Sequence, residues 1–245
     1  MMCDFSFKHY TDTLKEWREE GYIFKTFNNY KSYDKKQIVL RHDIDVSLDS
    51  ALSMATTEKI LGIKSTYMVL VNSSFYNPFS ENNINIIKTI SEYHDIGVHY
   101  DPLVLPENKY SGSRTVMLYA ELLEKFIGYN VNISCEHNPI MGKKADIEMI
   151  NKLGSDYRIN NANLLVNARY ISDSGMNWRE GCFCQHLGKH ENIQVLTHPE
   201  LWVNRNYDEM CDELLDYSIK KETFLFSSLK DNRKIYIERI KTKEN

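Results

Sequence analysis

The chain has 245 residues, of which 42% are hydrophobic and 26% charged, a composition typical of a globular protein with room for one large core. Its 30 Lys and Arg against 34 Asp and Glu give a formal net charge of −4, which does not indicate a nucleic-acid partner. No apolar run approaches the ~20 residues that a membrane span needs. The first residues lack the pattern of an export signal and the five cysteines are scattered, so we expect a cytoplasmic protein with free thiols.

Hydrophobic periodicity divides the chain into alternating strands and helices. Residues 1–36 are predicted as a helical N-terminal segment with a break at Gly21, and residues 206–245 as a helical C-terminal segment. The predicted strands cover 37–45, 65–71, 95–100, 131–136, 164–172 and 193–198, and the helices between them 47–61, 83–93, 114–127 and 147–153. Because strands and helices alternate at this spacing, we predict a single α/β domain over residues 1–245 with a mostly parallel sheet.

The first predicted strand ends in the motif Arg41-His42-Asp43-Ile44-Asp45. Because side chains alternate along a strand, Asp43 and Asp45 are expected to point one way and His42 the other. Two carboxylates on one side repel each other, and a bound cation is the simplest remedy. A helix N-cap beside a surface carboxylate is the alternative interpretation, but a cap explains only one of the two. Arg41 has two candidate partners, one of these carboxylates or a charged group of a substrate.

Further polar residues follow other predicted strands. His99 ends the third strand, His137 follows the fourth, Asp173 follows the fifth, and His198 ends the sixth. In open α/β sheets and (β/α) barrels, ligands bind at the carboxyl ends of the strands. We therefore expect these side chains to share one site with the two aspartates.

Several segments together resemble a known family, the polysaccharide deacetylases with the NodB homology domain. The resemblance is to a divergent group whose first motif reads Arg-His-Asp-x-Asp. The segments that carry it are the first motif, Gly62-Ile63-Lys64-Ser65-Thr66-Tyr67, His94 to Asp101, Glu136-His137-Asn138-Pro139, Asp173-Ser174-Gly175 with Trp178, and Leu196-Thr197-His198-Pro199. The resemblance implies an irregular (β/α) barrel of about seven mostly parallel strands.

The family mechanism implies a role for four of the polar residues. Asp43 would be the general base toward the attacking water, and Asp45 and His99 would be ligands of a divalent metal. His198, in the Leu-x-His motif, would be the general acid that protonates the leaving nitrogen. The resemblance implies zinc as the metal, with cobalt, nickel or iron as other choices.

The sequence departs from the family pattern in two places. Ile44 separates two aspartates that are usually adjacent, so the base and ligand roles of Asp43 and Asp45 are open to exchange. The usual second motif has a further histidine four residues after the first, where this chain has Leu103. His137 is our candidate for the missing metal ligand. A substrate contact, or a hydrogen bond to a neighbouring side chain, is its alternative role.

The resemblance also implies two supporting residues. Asp173 would orient and charge the acid His198, and Trp178 would form a wall of the sugar pocket. The alternatives are a solvated turn for Asp173, a core position for Trp178, and a structural histidine for His198.

A second cluster of possible metal ligands lies near the C-terminal end of the barrel region. Cys182, Cys184, His186 and His190 form the pattern Cys-x-Cys-x-His-x-x-x-His. A structural zinc site is one interpretation of these residue types. The spacing is tighter than that of usual zinc fingers, and we favour a loop over the candidate site.

The leading functional hypothesis is a metal-dependent hydrolase that removes an N-acetyl or other N-acyl group from an amino sugar, cleaving a linear amide bond. Its expected substrate is a carbohydrate, such as a nucleotide-linked or lipid-linked precursor in surface polysaccharide biosynthesis. Two alternatives remain open. One is a catalytically silent relative that binds a glycan or a protein partner, and the other is a metal-dependent hydrolase of another ester or amide.

Overall fold

The structure, a computed structural model, describes residues 3–137, 160–161 and 165–202, together with residues 215 and 219. The chain divides into two compact units, residues 1–202 and 203–245, and the account below concerns the first. The helix predicted at 147–153 and nearly all of the predicted C-terminal segment lie outside the described residues. The prediction of one domain over 1–245 stays a prediction. No helix within the described ranges is long and apolar enough to cross a membrane.

Four helices and eight strands alternate through the described part of this unit. The helices are α1 (Phe7–Glu19), α2 (Leu48–Ile60), α3 (Glu81–Ser91) and α4 (Lys109–Ile127). The strands are β1 (Ile23–Lys25), β2 (Gln37–Ile44), β3 (Thr66–Leu70), β4 (Asp95–Tyr100), β5 (Ile133–Glu136), β6 (Asn160–Asn161), β7 (Arg169–Ser172) and β8 (Asn192–Thr197). These elements agree with the predicted pattern, apart from β1 and β6, which were not predicted, and shifts at the ends, the largest being the starts of β7 and α4.

All strand pairings in the described residues are parallel. The order across the sheet is β6-β5-β4-β3-β2-β8-β7, with β1 beside the first half of β2. β2 is therefore central, and all eight of its residues are buried, as expected for a parallel strand covered on both faces. The predicted α/β class with a mostly parallel sheet is confirmed.

The N-terminal segment differs from the prediction of a helical stretch over residues 1–36. Helix α1 ends before Gly21, whose φ of +89° belongs to the left-handed region that glycine enters at no steric cost. The chain then forms β1, which pairs with β2 from Ile23 to Lys25. A strand of three residues is too short to show a hydrophobic alternation, so periodicity alone did not predict it.

Strand β2 sends alternate side chains to two different surroundings. Val39 packs in the core with Met68 of β3, and Arg41 and Asp43 share that face of the strand. His42 points the other way and is bonded to Thr197 Oγ1 at 2.6 Å. The prediction that His42 points to the opposite side from the aspartates is confirmed by this contact.

The second face of the sheet holds a buried carboxylate, Glu58 of α2, which is 0% exposed. Its Oε1 accepts hydrogen bonds from His42 Nε2 at 2.8 Å and from the Tyr10 hydroxyl. Its Oε2 accepts hydrogen bonds from Ser65 Oγ at 2.6 Å and the Tyr67 hydroxyl at 2.8 Å. Burial alone would raise the pKa of Glu58, but His42 and these donors outweigh it and lower the pKa to about 2. Glu58 thus joins α1, α2, β2 and β3 through one ionised group.

We expect Glu58→Gln to lower the free energy of unfolding by about 3–5 kcal/mol at neutral pH, because an amide NH₂ cannot accept the hydrogen bonds that one carboxylate oxygen receives. The pKa of Glu58 is lowered from 4.5 to about 2, so its contribution is present above pH 4.5 and is lost as the pH falls toward 2. Urea unfolding of both proteins across this pH range measures the difference. The exposed Glu19→Gln variant is the control, expected within about 0.5 kcal/mol of the wild type. A constant difference from pH 6 to pH 2.5 would contradict the assignment.

Candidate active site

The carboxyl ends of the parallel strands bring the predicted site residues together. Asp45 follows β2, and His99 is the second-last residue of β4. His137, Asp173 and His198 directly follow β5, β7 and β8. Because all these strands run in the same direction, the side chains that end them meet at one edge of the sheet.

Arg41 and Asp43 form a buried ion pair on the inner face of β2. Arg41 Nε donates to Asp43 Oδ1 at 2.7 Å, and Arg41 Nη2 donates to Oδ2 at 2.6 Å. The two residues are 4% and 3% exposed. Burial alone would raise the pKa of Asp43, but the guanidinium outweighs it and holds that pKa well below its usual range. Of the two partners considered for Arg41, the structure shows the carboxylate.

Asp45, His99 and His137 present three ligand atoms to one another. Asp45 Oδ1 lies 3.4 Å from His99 Nε2 and 3.3 Å from His137 Nδ1. The two ring nitrogens are 3.2 Å apart. Ligands about 2.0–2.1 Å from a zinc ion at tetrahedral angles lie about 3.3 Å from one another. The three atoms therefore already have the spacing of one face of a zinc tetrahedron.

The protonation of His99 fits a metal ligand. Its Nδ1 lies 3.2 Å from the carbonyl oxygen of Cys135, which only accepts hydrogen bonds, so the proton belongs on Nδ1. Burial lowers the pKa of His99, so the ring is neutral and Nε2 carries a lone pair. That lone pair faces the carboxylates of Asp43 and Asp45, both with an oxygen 3.4 Å away. A cation bound between this nitrogen and the two carboxylates would be coordinated by their lone pairs.

The buried Oδ1 atom of Asp45 supports the same reading. Two imidazole nitrogens lie 3.3 and 3.4 Å from this atom. Burial alone would raise the pKa of Asp45, but the hydrogen bond with His137 and the nearby imidazoles outweigh it and lower that pKa. Buried carboxylate oxygens are almost always hydrogen-bonded or bound to a metal. The residues present thus fit a divalent metal, and the mixed nitrogen and oxygen donors suit zinc.

Leu103 does not contribute to this cluster. It lies in a 3-10 turn, Pro102–Val104, and is 60% exposed. Its N–H is held by the side chain of Asp101 at 2.8 Å, which begins the turn immediately after β4. The turn therefore carries the position of the usual second histidine out to the surface, while His137 comes to His99 from the neighbouring strand β5.

His198 is held by Asp173 and faces Asp45. Its Nδ1 is 2.6 Å from Asp173 Oδ1, and its backbone N–H donates to Asp173 Oδ2 at 3.0 Å. Its Nε2 is 3.7 Å from Asp45 Oδ2. Burial alone would lower the pKa of His198, but the carboxylate of Asp173 outweighs it and raises the pKa to about 10. His198 therefore carries a proton at neutral pH on the side that faces Asp45.

Three further residues belong to this site. The sequence favours a core position for Trp202 and does not single out Cys135 or Glu200. Trp202 Nε1 donates to Asp173 Oδ2 at 2.9 Å, and Cys135 supports His99 as described above. Glu200 is buried in the turn after His198, and burial raises its pKa to about 8. A carboxylate two residues after the acid histidine was a usable signal for Glu200, whereas nothing local in the sequence marked Cys135.

Trp178 lies in an aromatic cluster beside Asp173. Its ring stacks against Phe5 at 6.2 Å and lies 5.8 Å from Phe183 and 6.1 Å from Trp202. These contacts pack the ring against protein, and its predicted role as a wall of the sugar pocket stays a prediction.

No protein-family model matches the chain, and no curated protein is similar enough to count as a relative. Among solved structures, BA3943 from Bacillus anthracis, a CE4 family pseudoenzyme, aligns at 14% identity and a TM-score of 0.50, over 76% of this chain and 62% of that one. A BA3943 mutant with restored enzymatic activity aligns at 14% identity and a TM-score of 0.51, over 77% of this chain and 65% of that one. The chitin deacetylase of the fungal pathogen Colletotrichum lindemuthianum aligns at 17% identity and a TM-score of 0.48, over 77% of this chain and 84% of that one.

The two BA3943 alignments establish the fold. The matched region spans less than two thirds of each BA3943 chain. At 14% identity, TM-scores of 0.50 and 0.51 show a common arrangement of strands and helices. The predicted NodB-like (β/α) barrel, and with it the resemblance to polysaccharide deacetylases at the level of the fold, is confirmed.

We expect Asp173→Asn to lower the pKa of His198 from about 10 by about 1 to 3 pH units, because the neutral amide no longer stabilises the imidazolium. An NMR titration of the His198 ring in metal-free protein measures this pKa directly. The exposed Asp49→Asn variant is the control and is expected to leave the titration unchanged. An unaltered pKa in Asp173→Asn would show that this carboxylate does not charge His198.

Proposed function

We propose that this protein is a metal-dependent hydrolase that removes an N-acetyl group from an amino sugar of a glycan or glycan precursor. The observation that carries the proposal is the 3.2–3.4 Å spacing of Asp45 Oδ1, His99 Nε2 and His137 Nδ1, the spacing of three ligands of one zinc ion. The neighbouring Asp43 and His198 add the two groups that hydrolysis of an amide needs, a proton acceptor and a proton donor.

Asp45 is the better metal ligand of the two aspartates, and Asp43 the better base. Both oxygens of Asp43 are bonded to Arg41, whereas Asp45 Oδ1 faces His99 Nε2 at 3.4 Å and His137 Nδ1 at 3.3 Å. The guanidinium keeps Asp43 ionised at neutral pH but also lowers its basicity, so proton transfer to it would depend on a metal that lowers the pKa of the attacking water. Asp43 Oδ2 lies 3.4 Å from His99 Nε2, so the carboxylate borders the metal site.

The chemistry of the reaction divides between the metal and the chain. A bound zinc ion would lower the pKa of a water molecule and polarise the acyl carbonyl. Asp43 takes one proton from the water that attacks this carbonyl. His198 gives its Nε2 proton to the amide nitrogen as the carbon–nitrogen bond breaks, so the products are acetate and a free amine. Asp173 holds the His198 ring from the far side through Nδ1.

We expect Asp45→Asn, His99→Ala and His137→Ala each to lose one equivalent of bound zinc, because each removes one of three protein ligands. The loss of affinity should exceed the roughly 10- to 100-fold that removal of an outer-shell partner costs. Calorimetric zinc titration with metal analysis of the dialysed protein provides the measurement. His190→Ala, which removes a histidine from another region, is the matched control and should bind zinc as the wild type does. Wild-type zinc content in His137→Ala would remove this residue from the site.

We expect Asp43→Asn and His198→Ala to lower deacetylation about 10²- to 10⁴-fold, because each removes one proton-transfer group of the reaction. The assay measures acetate released by metal-loaded protein from a panel of N-acetyl amino sugars, both nucleotide-linked and polymeric. Asp49→Asn and His190→Ala are the controls for charge and for imidazole. Full activity in both site variants would show that the mechanism is wrong. Activity only on O-acetyl esters would identify a metal-dependent esterase in place of an amide hydrolase.

A second candidate function is a catalytically silent relative whose cleft binds a glycan or a protein partner. The observation that favours it is the similarity of the fold to BA3943, which is a CE4 family pseudoenzyme. The two candidates differ in metal binding at Asp45. The silent relative would be favoured if wild type and Asp45→Asn had the same metal content and melting temperature, and if the wild type released no acetate from the panel.

A further inference from the structure

Four metal-ligating side chains outside the candidate active site converge from the two ends of the first unit. They are Cys3, His9, Cys182 and Cys184, whose ligand atoms all lie within 4.8 Å of one another. Cys3 Sγ is 3.3 Å from Cys184 Sγ, and His9 Nε2 is 3.3 Å from Cys182 Sγ. All three cysteines are free thiols. We call this group the thiol cluster.

Local structure explains how residues so far apart in sequence meet. His9 lies in the first turn of α1, which Ser6 caps by accepting a hydrogen bond from the His9 N–H. Cys3 stands just before that cap. Cys182 and Cys184 flank Phe183 at the start of a 3-10 turn in the loop between β7 and β8. The thiol cluster therefore spans the contact between the N-terminal helix and this loop.

The contacts within the thiol cluster are poorly explained by hydrogen bonding among neutral groups. A thiol is a weak donor and a weak acceptor, so two thiols gain little from a 3.3 Å contact. Around a zinc ion, thiolate and imidazole ligands about 2.3 and 2.0 Å from the metal lie about 3.5–3.8 Å from one another. Two of the distances, both 3.3 Å, lie close to this spacing, and all four atoms lie within 4.8 Å of one another.

We propose that the thiol cluster binds one zinc ion as a structural site, with three thiolates and one imidazole as its ligands. This donor set is that of closed structural zinc sites, which keep no position for water or substrate, and thiolates select zinc over magnesium or calcium. The ion binds the deprotonated thiols, so three protons leave as it enters. It fastens α1 to the loop between β7 and β8 across more than 170 residues of chain.

The two histidines of the local sequence pattern are not part of this site. His186 Nδ1 lies 3.3 Å from His190 Nε2, and His186 Nε2 lies 2.8 Å from the carbonyl oxygen of Glu180. The chain thus takes its imidazole from His9, not from the residues next to the cysteines. This difference supplies a matched pair of variants, His9→Ala and His190→Ala.

The site also borders the support of the candidate general acid. The His9 ring lies parallel to the ring of Trp202, with centroids 6.4 Å apart. Trp202 donates to Asp173, and Asp173 holds His198. Zinc at the thiol cluster therefore holds His9 against the far end of this hydrogen-bonded chain, without touching the reacting groups.

The experiment is cobalt substitution and X-ray absorption of the full chain, purified and kept under reducing conditions. Cobalt bound by thiolates shows intense sulfur-to-metal charge-transfer absorption, which the nitrogen and oxygen ligands of the candidate active site do not produce. We expect this absorption in the wild type, in His190→Ala and in His99→Ala. In Cys184→Ser and His9→Ala we expect weaker cobalt binding and weaker absorption at the same cobalt concentration. Zinc-loaded protein should show zinc–sulfur distances of about 2.3 Å.

A second measurement covers the case in which the cysteine variants do not fold. A chelator added to zinc-loaded wild type should release one zinc ion as three thiols become reactive together. The absence of thiolate absorption in cobalt-loaded wild type, or absorption of undiminished intensity in a folded Cys184→Ser, would overturn the proposal. A disulfide between Cys3 and Cys184 in the reduced preparation, detected by mass spectrometry, would replace it with a redox pair. Because the readout is sulfur ligation, its outcome does not depend on whether the protein is a deacetylase.

Discussion

The buried ion pair between Arg41 and Asp43 is the interaction on which the candidate site depends. An unpaired charge at this depth would be destabilising by several kcal/mol, so two residues on the same face of β2 must satisfy each other. The bidentate pair occupies both oxygens of Asp43 and holds that carboxylate ionised. Asp45, one step further along the same face, is left to the two imidazoles. The proposed roles, Asp45 as metal ligand and Asp43 as base, follow from the pairing of Arg41 with Asp43.

The same strand connects the site to the helices through its other face. His42, between Arg41 and Asp43 in sequence, points away from them and bonds to Glu58 of α2. Glu58 in turn gathers hydroxyl donors from α1 and β3. A change in the backbone position of β2 would therefore move both the candidate metal ligands and the buried carboxylate of Glu58. This coupling ties the geometry of the site to the stability of the fold.

The two departures from the family pattern have structural counterparts. Ile44 keeps Asp43 and Asp45 on one face, because side chains two apart on a strand point the same way. Leu103 is carried to the surface by the turn after β4, and His137 reaches His99 from β5 instead. An imidazole at the end of an adjacent strand reaches the same edge of a parallel sheet as the turn after β4.

The sequence alone determined the α/β class, the strand ends at which polar residues stand, and the faces of β2, because local periodicity sets which way a side chain points. It also named Asp43, Asp45, His99, His137, Asp173 and His198 as one group. Only the tertiary structure decided which aspartate Arg41 binds and that Trp202 and Cys135 support the site. It alone brought Cys3 and His9 to Cys182 and Cys184. Such distances depend on strand order and register across more than a hundred residues, and no local pattern in the chain records them.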